Sequence, residues 1–141
     1  MNYMTQGFYF MAPALVGVAI SLVEMFFVMQ DEGGMHPLAH GLHAVPTCLI
    51  FTYISMNAPF FANYISTWVP LFSNPTVSMF LIPILIGLIA TVKVKSAAAI
   101  VGGHGSIGEK LPHAMIIGAL IAVAPFVWPL IAPIVPSFLN R

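Results

Sequence analysis

Apolar residues run through this chain in long, nearly unbroken stretches, separated by a few short polar or glycine-rich breaks. A helix needs about 20 consecutive apolar residues to cross a bilayer, whereas the strands of a membrane barrel alternate over about ten. The stretches therefore predict an all-α fold, a polytopic transmembrane helical bundle of about four spanning helices arranged as two helical hairpins. The predicted spans cover approximately 8–29, 37–57, 77–95 and 113–135, within a single integral membrane domain over 1–141.

The stretch over 58–76 breaks this pattern because it carries no charge and three prolines, with Tyr64 and Trp68 among phenylalanines. Amphipathic aromatic side chains favour the boundary between membrane and water. We predict a short interfacial segment here, with a re-entrant segment as the alternative.

The amino-acid composition supports the membrane assignment and indicates which classes of binding partner to expect. Of the 141 residues, 60% are hydrophobic and 6% are charged, against about 25% charged in a soluble domain. Lipid bilayer is therefore the expected partner, and the near-zero net charge gives no reason to expect nucleic acid. The opening residues lack the basic region of a signal peptide, so the first apolar run is interpreted as a transmembrane helix.

Two stripes of small residues predict close helix packing. Gly17 and Ser21 lie four residues apart on the first span, as Gly118 and Ala122 do on the last. Small residues let helix backbones approach in lipid, where van der Waals packing drives association. We expect one stripe to serve the fold and the other, on an outer fourth helix, to contact a second chain.

The chain ends in a run of prolines at spacings of four, four and three residues: Pro125, Pro129, Pro133 and Pro136. Each proline removes a helical hydrogen bond and crowds the carbonyl four residues back. In lipid, a freed carbonyl must be shielded by protein or reach water. We therefore expect this segment to be kinked or extended, and to pack against a neighbour or lie at the interface.

The candidate chemistry centres on Glu24, which interrupts the first apolar run. If the first two spans form a hairpin whose midpoint is 33–34, Glu24 and His43 reach similar depths, so we predict that they contact each other. An acid at the centre of a membrane helix costs about 2.5–3.5 kcal/mol on insertion scales and usually faces protein or water.

Three histidines after the first span suggest a metal site. His36, His40 and His43 are spaced by four and three residues and stack on one helical face. Imidazole is a common ligand of transition metals, and Glu24 could complete the set or orient a ligand. The competing hypothesis, favoured here, is a structural role. In it His36 lies among the headgroups, His40 bonds a backbone carbonyl, and His43 bonds Glu24 to hold two helices together.

The second connection supplies secondary candidates: His104, Glu109 and His113. Its glycines lack the order of a phosphate-binding loop and no strand precedes them, so we exclude nucleotide binding. Most of the charge lies in or next to the two short connections, 30–36 and 96–112, including three of the four basic residues, Lys93, Lys95 and Lys110. Because basic residues favour cytoplasmic loops, we predict that both connections are cytoplasmic and both termini outside, in the cell membrane.

The function expected from these features is that of a small integral membrane protein without catalysis of its own, acting as a homo-oligomer or as an accessory subunit of a membrane assembly. The first alternative is a channel or carrier for protons, cations or metal ions that passes Glu24 and His43. The second alternative is a metal- or haem-binding redox subunit built on His36, His40 and His43.

Overall fold

The structure, a computed structural model, describes residues 7–31, 37–101 and 110–140, with side chains over 7–30, 44–96 and 110–139. The prediction of an all-α fold is confirmed for this part of the chain, which contains no strand. Five α-helices are described: α1 Met11–Asp31, α2 Pro37–Met56, α3 Ala58–Ile65, α4 Pro75–Val101 and α5 Leu111–Ile131. Short 3-10 helices cover Pro70–Ser73, Ala132–Ile134 and Ser137–Asn140.

The long helices pack as two antiparallel pairs, α1 with α2 and α4 with α5. In the first pair, Gly17 lies against the backbone and side chain of Leu49. In the second, Gly87 lies against the carbonyl oxygen of Gly118. Contacts between α2 and α4 join the two pairs, and α5 also contacts α1 and α2.

Two buried clusters fill the space between the pairs. One cluster draws on all four long helices and contains Ile20, Cys48, Ala90, Val94, Ala114, Ile117 and Ile121. The other lies toward the start of α1 and the end of α5, and contains Ala12, Met56, Ala124, Trp128 and Ala132. Large apolar side chains remain exposed along the outer surfaces of the helices, as they would on a protein whose surface is covered by lipid.

Within the described residues, three helices are long and apolar enough to cross a membrane: Met11–Gln30, Pro75–Ser96 and Leu111–Ile134. A fourth crossing is added if Ala44–Met56 and Ala58–Ile65, which meet at 73°, form one broken span. These helices are compatible with a multi-pass membrane protein. The sequence placed the helix starts within a few residues, but α4 extends beyond the predicted end at 95 and reaches Val101.

The proline-rich end follows the predicted course in part. The helix α5 continues through Pro125 and Pro129, and the chain leaves α-helical geometry only at the 3-10 helix Ala132–Ile134. Ala132 and Val135 then pack beside Trp128 and the start of α1. Only this side of the segment is covered, because Ala132 is buried whereas Ile134 and Phe138 are exposed.

The expectation that the fourth-span stripe is left for a second chain is wrong. A Cβ atom added at Gly118 would overlap the Thr91 hydroxyl and the Gly87 carbonyl oxygen of α4. The space beside Gly17 is occupied in the same way by Leu49 of α2. Ser21 is buried, and its hydroxyl donates a hydrogen bond to the Gly17 carbonyl at 2.7 Å. Both stripes are therefore used inside the chain.

Candidate functional site

Glu24 is the buried charged residue around which a candidate site can be built. Only 3% of its surface is exposed. The buried positions of α1 recur at three- and four-residue intervals, through Gly17, Ile20, Glu24 and Val28, so one helical face carries the acid inward with its apolar neighbours. The carboxyl group therefore lies between helices and not on the outer surface.

His113, a secondary candidate from the sequence, comes to the same end of the fold. Its imidazole ring stacks on the ring of Phe27, with 4.3 Å between ring centroids and an angle of 9° between the planes. Phe27 follows Glu24 by less than one helical turn. The stack joins the end of α1 to the beginning of α5, and it places a half-buried histidine next to the turn that carries the buried acid.

Apolar side chains line part of the region around this acid and histidine. Ile20 and Phe27, on either side of Glu24 along α1, pack with Ala114 and Ile117 of α5 and with Cys48 of α2. An interior of this kind excludes water and strengthens electrostatic interactions within it. The arrangement can hold or release a proton at a carboxyl or imidazole group, and it also fixes α1 against α5.

The other predicted site residues lie outside the described side chains. This applies to His36, His40, His43, His104 and Glu109, so the predicted contact between Glu24 and His43 stays a prediction. Among the side chains that are described, no group of three or more His, Cys, Asp or Glu residues is placed to hold a metal ion. The three-histidine metal hypothesis likewise stays a prediction.

Sequence reasoning missed a set of polar contacts toward the opposite end of the fold. Ser55 of α2 is fully buried, and its hydroxyl donates to the carbonyl oxygen of Ile121 in α5 at 2.7 Å. Pro125 lies four residues after Ile121 and has no N–H to donate to that carbonyl. Ser55 therefore supplies the donor that the proline removes.

Asn57 makes an equivalent contact at the start of α1. Its side-chain nitrogen donates to the Tyr9 carbonyl at 3.1 Å, and its side-chain oxygen accepts from the Tyr9 N–H at 2.7 Å. Tyr9 lies before Met11, the first residue of α1, so its carbonyl is outside the hydrogen-bond ladder of the helix. A search for carbonyls four residues before each proline, matched to polar residues on a neighbouring span, could have found the Ser55 contact.

An apolar groove runs along the outer side of the fold between α1 and α5. It encloses about 300 Å³ and is lined only by apolar side chains. The lining residues are Leu15, Val16, Ala19, Ile20, Val23, Leu120, Trp128 and Ile131. At one end of the groove, α1 and α5 are joined by the Phe27–His113 stack. At the other end they are joined by the packing of Trp128 near Ala12.

Comparisons of the chain with protein-family models, with curated proteins and with solved structures find no match.

Proposed function

We propose that the protein is a small multi-pass membrane protein without catalysis of its own, which acts as a homo-oligomer or as an accessory subunit of a membrane assembly. In this proposal α1, α2, α4 and α5 cross the cell membrane as two hairpins, with the connections 30–36 and 96–112 in the cytoplasm and both termini outside. Three of the four basic residues, Lys93, Lys95 and Lys110, lie in or next to the connection 96–112 and support this orientation.

The observation that carries the proposal is the groove between α1 and α5. It is apolar, it faces outward, and it includes the small residue Ala19, which is exposed. Lipid tails are as apolar as leucine, so association between membrane helices depends on close van der Waals fit, for which a groove beside a small residue is suited. We infer that a helix of a neighbouring chain occupies it.

The buried polar residues support a structural role over transport. Ser55 of α2 donates a hydrogen bond to a backbone carbonyl of α5, and the Asn57 side chain both donates to and accepts from the backbone of Tyr9. Gly87 and Gly118 bring α4 and α5 into backbone contact. Such contacts hold the helices in one arrangement, whereas a carrier requires helices that move.

A pair of bulky substitutions tests the proposal. Ala19→Trp fills the groove, and Leu88→Trp places the same side chain on the exposed surface of α4 as a matched control. We expect the particle mass in mild detergent to fall for Ala19→Trp and to equal the wild-type mass for Leu88→Trp, with helical content unchanged in both. Equal masses for all three proteins would contradict the proposal.

A second candidate function, a proton or cation carrier, is favoured by one observation. Glu24 is buried, and Phe27, less than one turn after it, stacks on the ring of His113. Buried acids in membrane helices commonly mark ion pathways. Proton flux into proteoliposomes tests it, with Glu24→Gln as the variant and Glu32→Gln as the control. Flux that Glu24→Gln abolishes and Glu32→Gln leaves intact would replace the assembly proposal with this one.

A further inference from the structure

The segment between α2 and α4 exposes aromatic and aliphatic side chains to an unusual degree. Trp68 is 87% exposed, Tyr64 65% and Leu71 55%. They belong to a stretch without any charged residue, from Ala58 to Asn74. This stretch directly follows one long apolar helix and directly precedes another. In the proposed function both helices cross the bilayer, so the stretch lies where they leave it.

The opposite side of the same segment is fixed to the fold. Ala58 and Ala62 of α3 are buried against Ile82 of α4, and Phe72 packs beside them. At the start of α3, Asn57 holds the segment to the backbone of Tyr9. The exposed side chains therefore project from an anchored support, which turns away from α2 by 73°.

Four polar side chains of the segment form local hydrogen bonds. The hydroxyls of Ser66, Thr67 and Ser73 each donate to a backbone carbonyl three residues earlier, at 3.0, 2.8 and 2.6 Å. The side-chain oxygen of Asn74 accepts from the N–H groups of Thr76 and Val77 as α4 begins. Hydroxyls that are already paired lower the cost of moving the segment out of water.

We propose that residues 58–74 form a bilayer-binding surface that lies in the membrane interface, with the Trp68 and Tyr64 rings among the lipid headgroups and Leu71 reaching the acyl chains. Aromatic rings with a polar atom partition to this depth, where one part is apolar and the other is hydrated. The surface holds the joint between α2 and α4 at a fixed depth in the membrane.

Tryptophan fluorescence in reconstituted vesicles tests this surface, because the chain has two tryptophans. Trp128→Phe leaves Trp68 as the only reporter, and Trp68→Phe leaves Trp128, which is 7% exposed, as the matched control. The vesicles contain phosphatidylcholine brominated either near the headgroup or near the chain end, and acrylamide probes access from water. Subtraction of the Trp68→Phe signal from the wild-type signal gives the Trp68 response even if Trp128→Phe fails to fold.

We expect Trp68 emission to lose more intensity with bromine near the headgroup than with bromine near the chain end, and to be partly shielded from acrylamide. Trp128 should respond less than Trp68 to the shallow bromine. Stronger quenching of Trp68 by the deep bromine would overturn the proposal in favour of a re-entrant segment. Full access to acrylamide without quenching by either lipid would overturn it in favour of an aqueous loop, and no response to any quencher would indicate a protein partner instead.

Discussion

The helix α5 meets its two neighbours α4 and α1 in opposite ways. Toward α4 it presents Gly118 and Ala122, and the backbones touch at Gly87. Toward α1 it presents large side chains such as Trp128 and Ile131, and a groove of about 300 Å³ remains between the helices. The comparison shows that this stripe of small residues is not the surface left for a partner. The small residues allow α4 and α5 to approach closely, so α4 covers the stripe within the chain.

Gly87→Ala should have the largest effect on the free energy of unfolding, because it adds an atom where α4 and α5 are in backbone contact. The added Cβ would lie 2.5 Å from the Gly118 carbonyl oxygen and 2.7 Å from Ala122 Cβ. Both are atoms that move only with the α5 backbone, so we expect a loss at the upper end of the overpacking range, about 3 kcal/mol. Equilibrium unfolding in mixed micelles measures it, with the exposed Ala119→Leu as control. An equal, small effect of both substitutions would mean that the helices can separate without cost.

Ser55→Ala should have the next largest effect, since it uncovers the Ile121 carbonyl that Pro125 leaves without a helical donor. Interhelical hydrogen bonds in membrane proteins average about 0.6 kcal/mol and reach about 1.7 kcal/mol, and we expect a value near the upper limit. A double-mutant cycle with Pro125→Ala checks the cause, because the restored N–H should make Ser55→Ala nearly neutral. An unchanged cost in that background would refute the assigned role of Ser55.

His113→Ala tests the point where α1 and α5 do touch. Loss of the stack on Phe27, at 4.3 Å between centroids, should cost about 1 kcal/mol, as aromatic pairs do beyond their buried area. The same unfolding measurement applies, and the exposed Met115→Ala serves as control. If His113→Phe restores stability, the ring contact is the stabilising feature; if it does not, the imidazole nitrogens contribute more than the stacking.

Ala19→Leu should have the smallest effect on stability, within about 0.5 kcal/mol of the wild type, because it adds a side chain to an open groove. The difference between the stability losses of Ala19→Leu and Gly87→Ala compares the two sides of α5 directly. A loss comparable to that of Gly87→Ala would show that the groove is closed in the folded chain, and the inferred partner site would then not exist.

The sequence predicted the helical class and the approximate helix positions because long apolar runs leave few alternatives in a bilayer. It also identified Gly17 and Gly118 as close-packing positions, but it could not identify their neighbours. The role of Gly118 depends on Gly87, which no spacing rule connects with it. A single sequence does not show which distant segments of the chain are in contact.

The candidate site was predicted less completely for a related reason. Glu24 stands out as an acid in an apolar run, whereas His113 becomes prominent only when α5 is packed against Phe27. The role of Ser55 appears once Pro125 is considered together with the Ile121 carbonyl that it leaves free, and the role of Asn57 appears once the chain before α1 is packed against α2.

The number of chains in the native particle tests the central claim most directly. The wild-type protein can be extracted from its own membrane into polymer-bounded lipid discs and weighed by native mass spectrometry. The account predicts a particle that contains several 15.2 kDa chains or one such chain with other membrane subunits. A particle with a single 15.2 kDa chain and lipid alone would contradict it.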